Sequence, residues 1–180
     1  MREAAAEIEA TAVVPAPREE VFEFLSDLSN HWRLVDRFVQ VVSVDGDSGL
    51  VRLRGPFGVR RTVRTRVTAA RAPDEIEGVA ELSDGTRARV CWTLEPAGSG
   101  ATSVRLAADV LSATPLDRLL LALGGRAWMR RRFAFGLSRL GDLVRSAELD
   151  RGVRAHPGPL YGTEIRTRGL RVPLHDDAAR

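Results

Sequence analysis

The stretch Val13-Val14-Pro15-Ala16-Pro17-Arg18-Glu19-Glu20-Val21-Phe22-Glu23-Phe24-Leu25-Ser26-Asp27 contains a change of period from which the rest of the chain can be read. Up to Val14 the sequence alternates. Ile8, Ala10, Ala12 and Val14 fall on one side and Glu7, Glu9 and Thr11 on the other, which predicts a half-buried strand. Pro15-Ala16-Pro17 ends it, since proline offers no N–H to a ladder. Pro17 suits the first position of a helix, and Glu19 and Glu20 then lie in the first turn, where the helix dipole favours negative charge. Val21, Leu25 and Leu28 share one face of that short helix. Ser29 is placed to cap a second one containing His31, Trp32, Leu34 and Val35.

From Phe38 onward strand-like runs alternate with turn signals: Asp45-Gly46-Asp47-Ser48-Gly49, Gly55-Pro56-Phe57-Gly58, Ala72-Pro73-Asp74, Ser83-Asp84-Gly85 and Pro96-Ala97-Gly98-Ser99-Gly100. Connections this short imply antiparallel neighbours. One face of these strands collects Val51, Leu53, Val63, Thr65, Val67, Ile76, Val90, Trp92, Leu94, Val104 and Leu106, almost without ionisable groups. The other collects Arg52, Arg54, Arg64, Arg66, Glu75, Glu77, Glu81, Arg87, Arg89 and Arg105. With glutamates between two arginine-bearing runs, this face reads as a solvated surface with cross-strand ion pairs, each contributing a few tenths of a kcal/mol.

Pro115 to Glu148 has helical period, with Leu116, Leu119, Leu120 and Leu123 on one stripe and Met129, Phe133, Leu137, Leu140 and Val144 on another. Gly124-Gly125 lies between them and predicts a break, because paired glycines cost about 2 kcal/mol in a helix interior. Gly136 and Gly141 flank the second stripe, where a missing side chain permits close approach or leaves room for a ligand. After Leu149 the period is lost and glycine, proline and arginine dominate. The expected organisation is one domain over 1–149 and a tail over 150–180 that is disordered or loosely docked, with Leu170, Val172 and Leu174 alternating weakly within it.

Composition bounds the function. The chain has no lysine, so all 27 basic residues are arginine and lysine-based covalent chemistry is excluded. Residues 1–150 hold 21 arginines against 21 acidic residues and residues 151–180 hold 6 against 3, so the body is neutral and the excess lies in the tail. No nucleic-acid partner is expected from that distribution. Cys91 is the only cysteine, and His31, His156 and His175 lack neighbours at metal-ligand spacing, so neither a metal site nor a cofactor is expected. The opening residues contain no apolar stretch resembling a signal peptide, and the run Leu116 to Leu123 is too short to span a bilayer. A cytoplasmic location without stable membrane insertion is the expectation. Oligomeric state is left open.

The order strand, two short helices, six antiparallel strands and a long C-terminal helix resembles the α+β helix-grip fold. Val13 to Asp27 is similar to the opening signature of the START-like superfamily, which includes polyketide cyclases, lipid-transfer domains and Bet v 1-like proteins. Val90-Cys91-Trp92-Thr93-Leu94-Glu95-Pro96 with its glycine turn, and the closing helix, extend the likeness to about residues 6–148. The resemblance implies a curved sheet of about seven strands wrapped around the long helix, with a hydrophobic pocket between them. Ligand contacts would then come from Trp32, Val63, Thr65, Trp92, Met129, Phe133 and Leu137, and the ligand would be a lipid- or polyketide-like small molecule held by a carrier or sensor. Cyclases of the group place arginine, serine or tyrosine in the pocket. Here the only tyrosine, Tyr161, lies in the tail, and the catalytic candidates for a cyclase or dehydratase are Arg61, Thr65 and His31. A third reading, a protein-interaction module, rests on the tail and on Trp128 beside Arg130-Arg131-Arg132.

Overall fold

The computed structural model describes residues 7–35, 38–55 and 58–155. Its elements run β1 (Glu7–Val14), α1 (Arg18–Ser26), α2 (Leu28–Leu34), β2 (Val39–Asp45), β3 (Ser48–Arg54), β4 (Arg60–Arg71), β5 (Glu75–Leu82), β6 (Arg87–Pro96), β7 (Thr102–Ser112), α3 (Pro115–Leu120) and α4 (Arg126–Ala155). The strands form one antiparallel, curved sheet in the order β1-β7-β6-β5-β4-β3-β2. The chain is α+β with a long C-terminal helix, as the period changes predict.

β1 alternates as expected, with Ile8 and Val14 buried and Glu9, Thr11 and Val13 exposed. It pairs with β7 from Glu7↔Asp109 to Val14↔Thr102. The corner after it is held by the buried Thr102, whose hydroxyl donates to the Ala16 carbonyl at 2.7 Å. α1 then lays Val21, Phe24 and Leu25 into the core. Asp27, not Ser29, is the N-cap of α2: its carboxylate accepts the Ser29 N–H at 2.8 Å and the Ser29 hydroxyl at 2.6 Å. A carboxylate two residues earlier outcompetes the serine because it can take both donors.

The core joins the α1 face, Leu34 of α2, the inward residues Ile76, Trp92, Leu94, Val104 and Leu106, and the Leu137, Leu140 and Val144 stripe of α4. Each fully buried leucine or valine contributes about 1.5–3 kcal/mol. α4 comes close to the β1–α1 corner because Gly141 has no side chain: a Cβ there would lie 3.1 Å from Pro15 Cδ. Gly136 likewise faces the Leu34 carbonyl, where a Cβ would stand at 3.5 Å. Close packing accounts for Gly141, whereas at Gly136 a Cβ would make only an ordinary contact.

The predicted break is present. Leu121–Gly125 departs from α-helical geometry, with Gly124 at φ 112°, a region that L side chains rarely adopt. Gly125 is fixed differently, since a Cβ there would meet the Leu120 carbonyl oxygen at 2.7 Å. The two leucine stripes have different fates. Leu116, Leu119 and Leu123 stay more than half exposed, and the buried residue of α3 is Asp117. Polar bonds at Asp117, described below, orient α3 and turn its leucines outward. α4 continues to Ala155, past the expected boundary at Leu149. The remainder of the tail, with Leu170, Val172 and Leu174, lies outside the described residues.

The outer face carries ion pairs as expected, with partners that differ in part. Arg87 meets Glu81, and Arg71 meets Glu75 and Glu77, but Arg89 pairs with Asp109 on β7 and Arg105 with Glu9 on β1. Asp109 is the direct register partner of Arg89, and Glu9 lies diagonal to Arg105, whose own partner on β1 is Thr11.

Candidate ligand site

The cap at Asp27 sets where α2 starts, and therefore where its side chains hang over the sheet. Ser29 hydrogen bonds, its hydroxyl first, hold the Asp27 carboxyl below the usual carboxylate range. Four residues on, His31 is held with Nε2 at 2.6 Å from the Leu25 carbonyl, and its ring lies 5.4 Å from the Trp92 ring. A carbonyl can only accept, so Nε2 carries the hydrogen and, in the neutral ring, Nδ1 is left as an acceptor. Burial pushes the His31 pKa down, outweighing the Leu25 bond and the Asp27 charge, so the imidazole is neutral near pH 7.

Beneath it the Thr65 hydroxyl donates to the Gly49 carbonyl at 3.3 Å. Gly49 is closely packed: a Cβ there would come within 3.2 Å of both the Trp32 ring and Thr65 Oγ1, and those side chains would have to shift to admit it. The Trp32 indole N–H is buried and has no acceptor among the described residues. These groups adjoin a cleft of about 80 Å³ lined by His31, Thr65, Val67, Ile76 and Trp92, with Leu28 of α2 above. That volume holds a few waters.

A second recess is far larger, at about 670 Å³, and lies at the β2–β3–β4 end of the sheet, lined by Phe38, Val39, Leu53 and Arg61 among others. The register explains the separation. Val39↔Leu53↔Arg61 form one inward row, Val51↔Val63 the next, and Gly49↔Thr65 the one after, so the buried Val51 and Val63 stand between the two recesses. Phe38 ties the larger recess to the long helix, meeting Trp128 of α4 edge-on at 5.4 Å. The Arg132 guanidinium stacks over both rings, 5.0 Å from Phe38 and 5.2 Å from Trp128.

Arg61 faces this recess with its charge engaged on both sides. It pairs with Asp84 in the β5–β6 turn and with Asp117 of α3, the latter at 2.9 Å. The other Asp117 oxygen accepts the Thr86 hydroxyl. Thr86 Oγ1 takes the Thr114 N–H at 3.2 Å, and Thr114 Oγ1 caps α3 by accepting the Asp117 N–H at 3.2 Å. This network docks α3 on the sheet end and satisfies every charged member that is largely buried.

The structure thus brings His31, Thr65 and Trp92 together at the small cleft, with the Trp32 ring packed nearby at Gly49 and Val63 one row away on the sheet. Met129 and Phe133 are half-buried on α4, and Leu137 is part of the central core at 2% exposure. Phe38 and Val39 escaped the sequence reading, as did the acids that hold Arg61, while Leu53 was read on the inward face without being assigned to the site. Cys91 lies on the outer face near Glu75 and Glu77, with ligating atoms within 4.8 Å of one another. Arg71 bonds both carboxylates there, and burial raises the thiol pKa.

Comparison with known proteins fits this architecture. The model of the polyketide cyclase/dehydrase and lipid transport family matches residues 5–145, and the chain belongs to that family. Among solved structures it is similar to a Thermus thermophilus protein, at 21% identity and a TM-score of 0.57, covering 78% of this chain and 98% of that one. The KanY protein superposes with a TM-score of 0.62 at 18% identity, covering 79% and 99% of the two chains. A protein of Arthrobacter aurescens gives 0.59 at 15% identity, covering 79% and 87%. These likenesses concern the fold. No curated protein matches the chain. No helix among the described residues is long and apolar enough to cross a membrane.

Proposed function

We propose that the chain is a noncatalytic, cytoplasmic carrier or sensor that holds a hydrophobic small molecule, lipid- or polyketide-like, between the sheet and the C-terminal helix. The observation that carries this reading is the recess of about 670 Å³ beside Phe38, Val39 and Leu53, which is lined from the sheet side and adjoins α4 through the contact of Phe38 with Trp128. Small-molecule sites occupy roughly 300–1,000 Å³. The cleft under His31 and Trp92 is too small for such a ligand as it stands, and the Trp32 N–H, which has no acceptor among the described residues, is a group that a ligand acceptor would satisfy. Residues 1–149 are taken as the binding unit, with the tail 150–180 acting on it.

The catalytic candidates have structural employment, which favours a carrier over a cyclase. Arg61 is neutralised by two carboxylates and Thr65 bonds the Gly49 backbone. The enzyme reading keeps one supporting observation, the neutral His31 ring with Nδ1 as an available base beside Trp92. The interaction-module reading loses Trp128, which is engaged edge-on with Phe38. The test is displacement of an environment-sensitive apolar dye from the purified full chain. Low-micromolar dye binding reversed by lipids or polyketide-like aromatics is expected, and failure of every apolar probe to bind the folded protein rejects the reading. Turnover of a polyketide-like substrate that His31→Gln abolishes without loss of fold would establish the enzyme instead.

A further inference from the structure

The Asp117 network sets α3 so that its apolar side faces away from the protein. Leu116, Leu119 and Leu123 are 55%, 53% and 63% exposed, and they follow one another at single-turn spacing along α3 and into the Leu121–Gly125 segment. Three leucines in one exposed row form a patch, unlike apolar residues scattered singly over a surface. The charge around them is one-sided. Residues 115–132 hold five arginines, at 118, 126, 130, 131 and 132, against one acid, Asp117, which is buried and bonded to Arg61. Arg118, Arg126, Arg130 and Arg131 are exposed and have no carboxylate within ion-pair distance among the described residues.

We propose that the leucine row of α3 and the arginines beside it dock on an anionic lipid surface, with the helix lying in the plane of the head groups. The leucines enter the acyl boundary, and the guanidinium groups, on long apolar stems, reach lipid phosphates from the flanks. The row from Leu116 to Leu123 is too short to span a bilayer, so the contact is peripheral and reversible. The same charges disfavour other occupants. A second copy docked through this face would set five arginines against five, and residues 151–180 of the chain itself carry 6 arginines against 3 acids, so both are repelled. A protein partner is gripped by aromatic anchors more than by leucine, and Trp128, the aromatic group next to these arginines, is engaged with Phe38. Docking would bring the large recess near the lipid, because Asp117 of α3 bonds Arg61 of its lining. The surface itself does not depend on what that recess holds.

The test is sedimentation of the full chain with vesicles of phosphatidylcholine alone and of an equal mixture with phosphatidylglycerol. Binding to the mixed vesicles should be at least about tenfold tighter. It should weaken between about 0.1 M and about 1 M salt, as the screening length falls from about 10 Å to about 3 Å. Leu119→Gln with Leu123→Gln should reduce binding to the mixed vesicles at least about tenfold, with the melting temperature and apolar-dye binding unchanged. Arg126→Gln with Arg130→Gln should remove the preference for anionic vesicles. Val42→Thr, also exposed but on β2, should bind as the parent chain does. Binding that survives the two leucine substitutions, or no binding to the anionic vesicles, overturns the proposal. A chain that ignores vesicles but forms a dimer dissolved by the leucine variant assigns the face to a second copy and overturns it too. So does a clear fall in the melting temperature of that variant, which would mean that the leucines are packed beneath the chain's own tail.

Discussion

The two ends of the sheet are built to different standards. At the β1–β7–β6 end, α1 and α4 cover the inner face, Leu140, Val144, Val21 and Val104 are completely buried, and the outer arginines are paired. At the β2–β3–β4 end the edge strand β2 exposes Val41, Val42 and Val44, Arg54 and Arg60 are register partners, and an open recess of about 670 Å³ adjoins the strands. Stability is concentrated in one end, which leaves the other free to depart from good packing and charge balance. Binding surfaces are drawn from such less stable regions.

Leu140→Ala should produce the largest effect, a loss of about 2–5 kcal/mol, because the cavity lies among chains that cannot collapse into it. Leu53→Ala, at the open end and half-buried, should cost a fraction of that in the same denaturant titration. Equal losses would break the comparison. Arg61→Met probes the one tightly bonded cluster at the open end. It strands the largely buried Asp117 and should cost about 2–3 kcal/mol, with α3 loosened and amide exchange faster at Leu116 to Leu120. A stability change near zero would mean that Arg61 is not a structural ion.

The pH dependence sharpens the boundary between the ends, where His31 lies. Its pKa is lowered in the folded chain, so the unfolded chain takes up the proton first, at about 6.5. Stability should therefore be complete above that pH and decline as pH falls through it. Melting curves at pH 7.5 and 5.5 should show the decline in the parent chain and a smaller one in His31→Gln. The smallest effect is expected at Val42→Thr on the edge strand, within about 0.5 kcal/mol.

Much of the architecture was readable because periodicity is a local property. The alternation of β1, the strand runs to Leu106, the Phe133–Val144 stripe and the Gly124-Gly125 break all follow from neighbours in sequence. Arg61 was correctly suspected of facing inward, but its partners Asp84 and Asp117 belong to other elements, and no periodic pattern links them. For the same reason the leucines of α3 looked like a packing face when a buried aspartate was orienting the helix.

The pairing of β1 with β7 has a consequence for how the protein is made. The first strand's partner is the last, with Glu7 opposite Asp109, so during synthesis β1 has no partner until Thr102–Ser112 has emerged. At about 5–20 residues per second the ribosome takes several seconds to deliver it. For that interval α1 and the first strand are nascent chain with an unmet edge, and the order of growth from the N-terminus cannot be the order of folding. A nascent chain arrested before β7 should remain protease-sensitive throughout, and protection should appear in one step once the seventh strand is free.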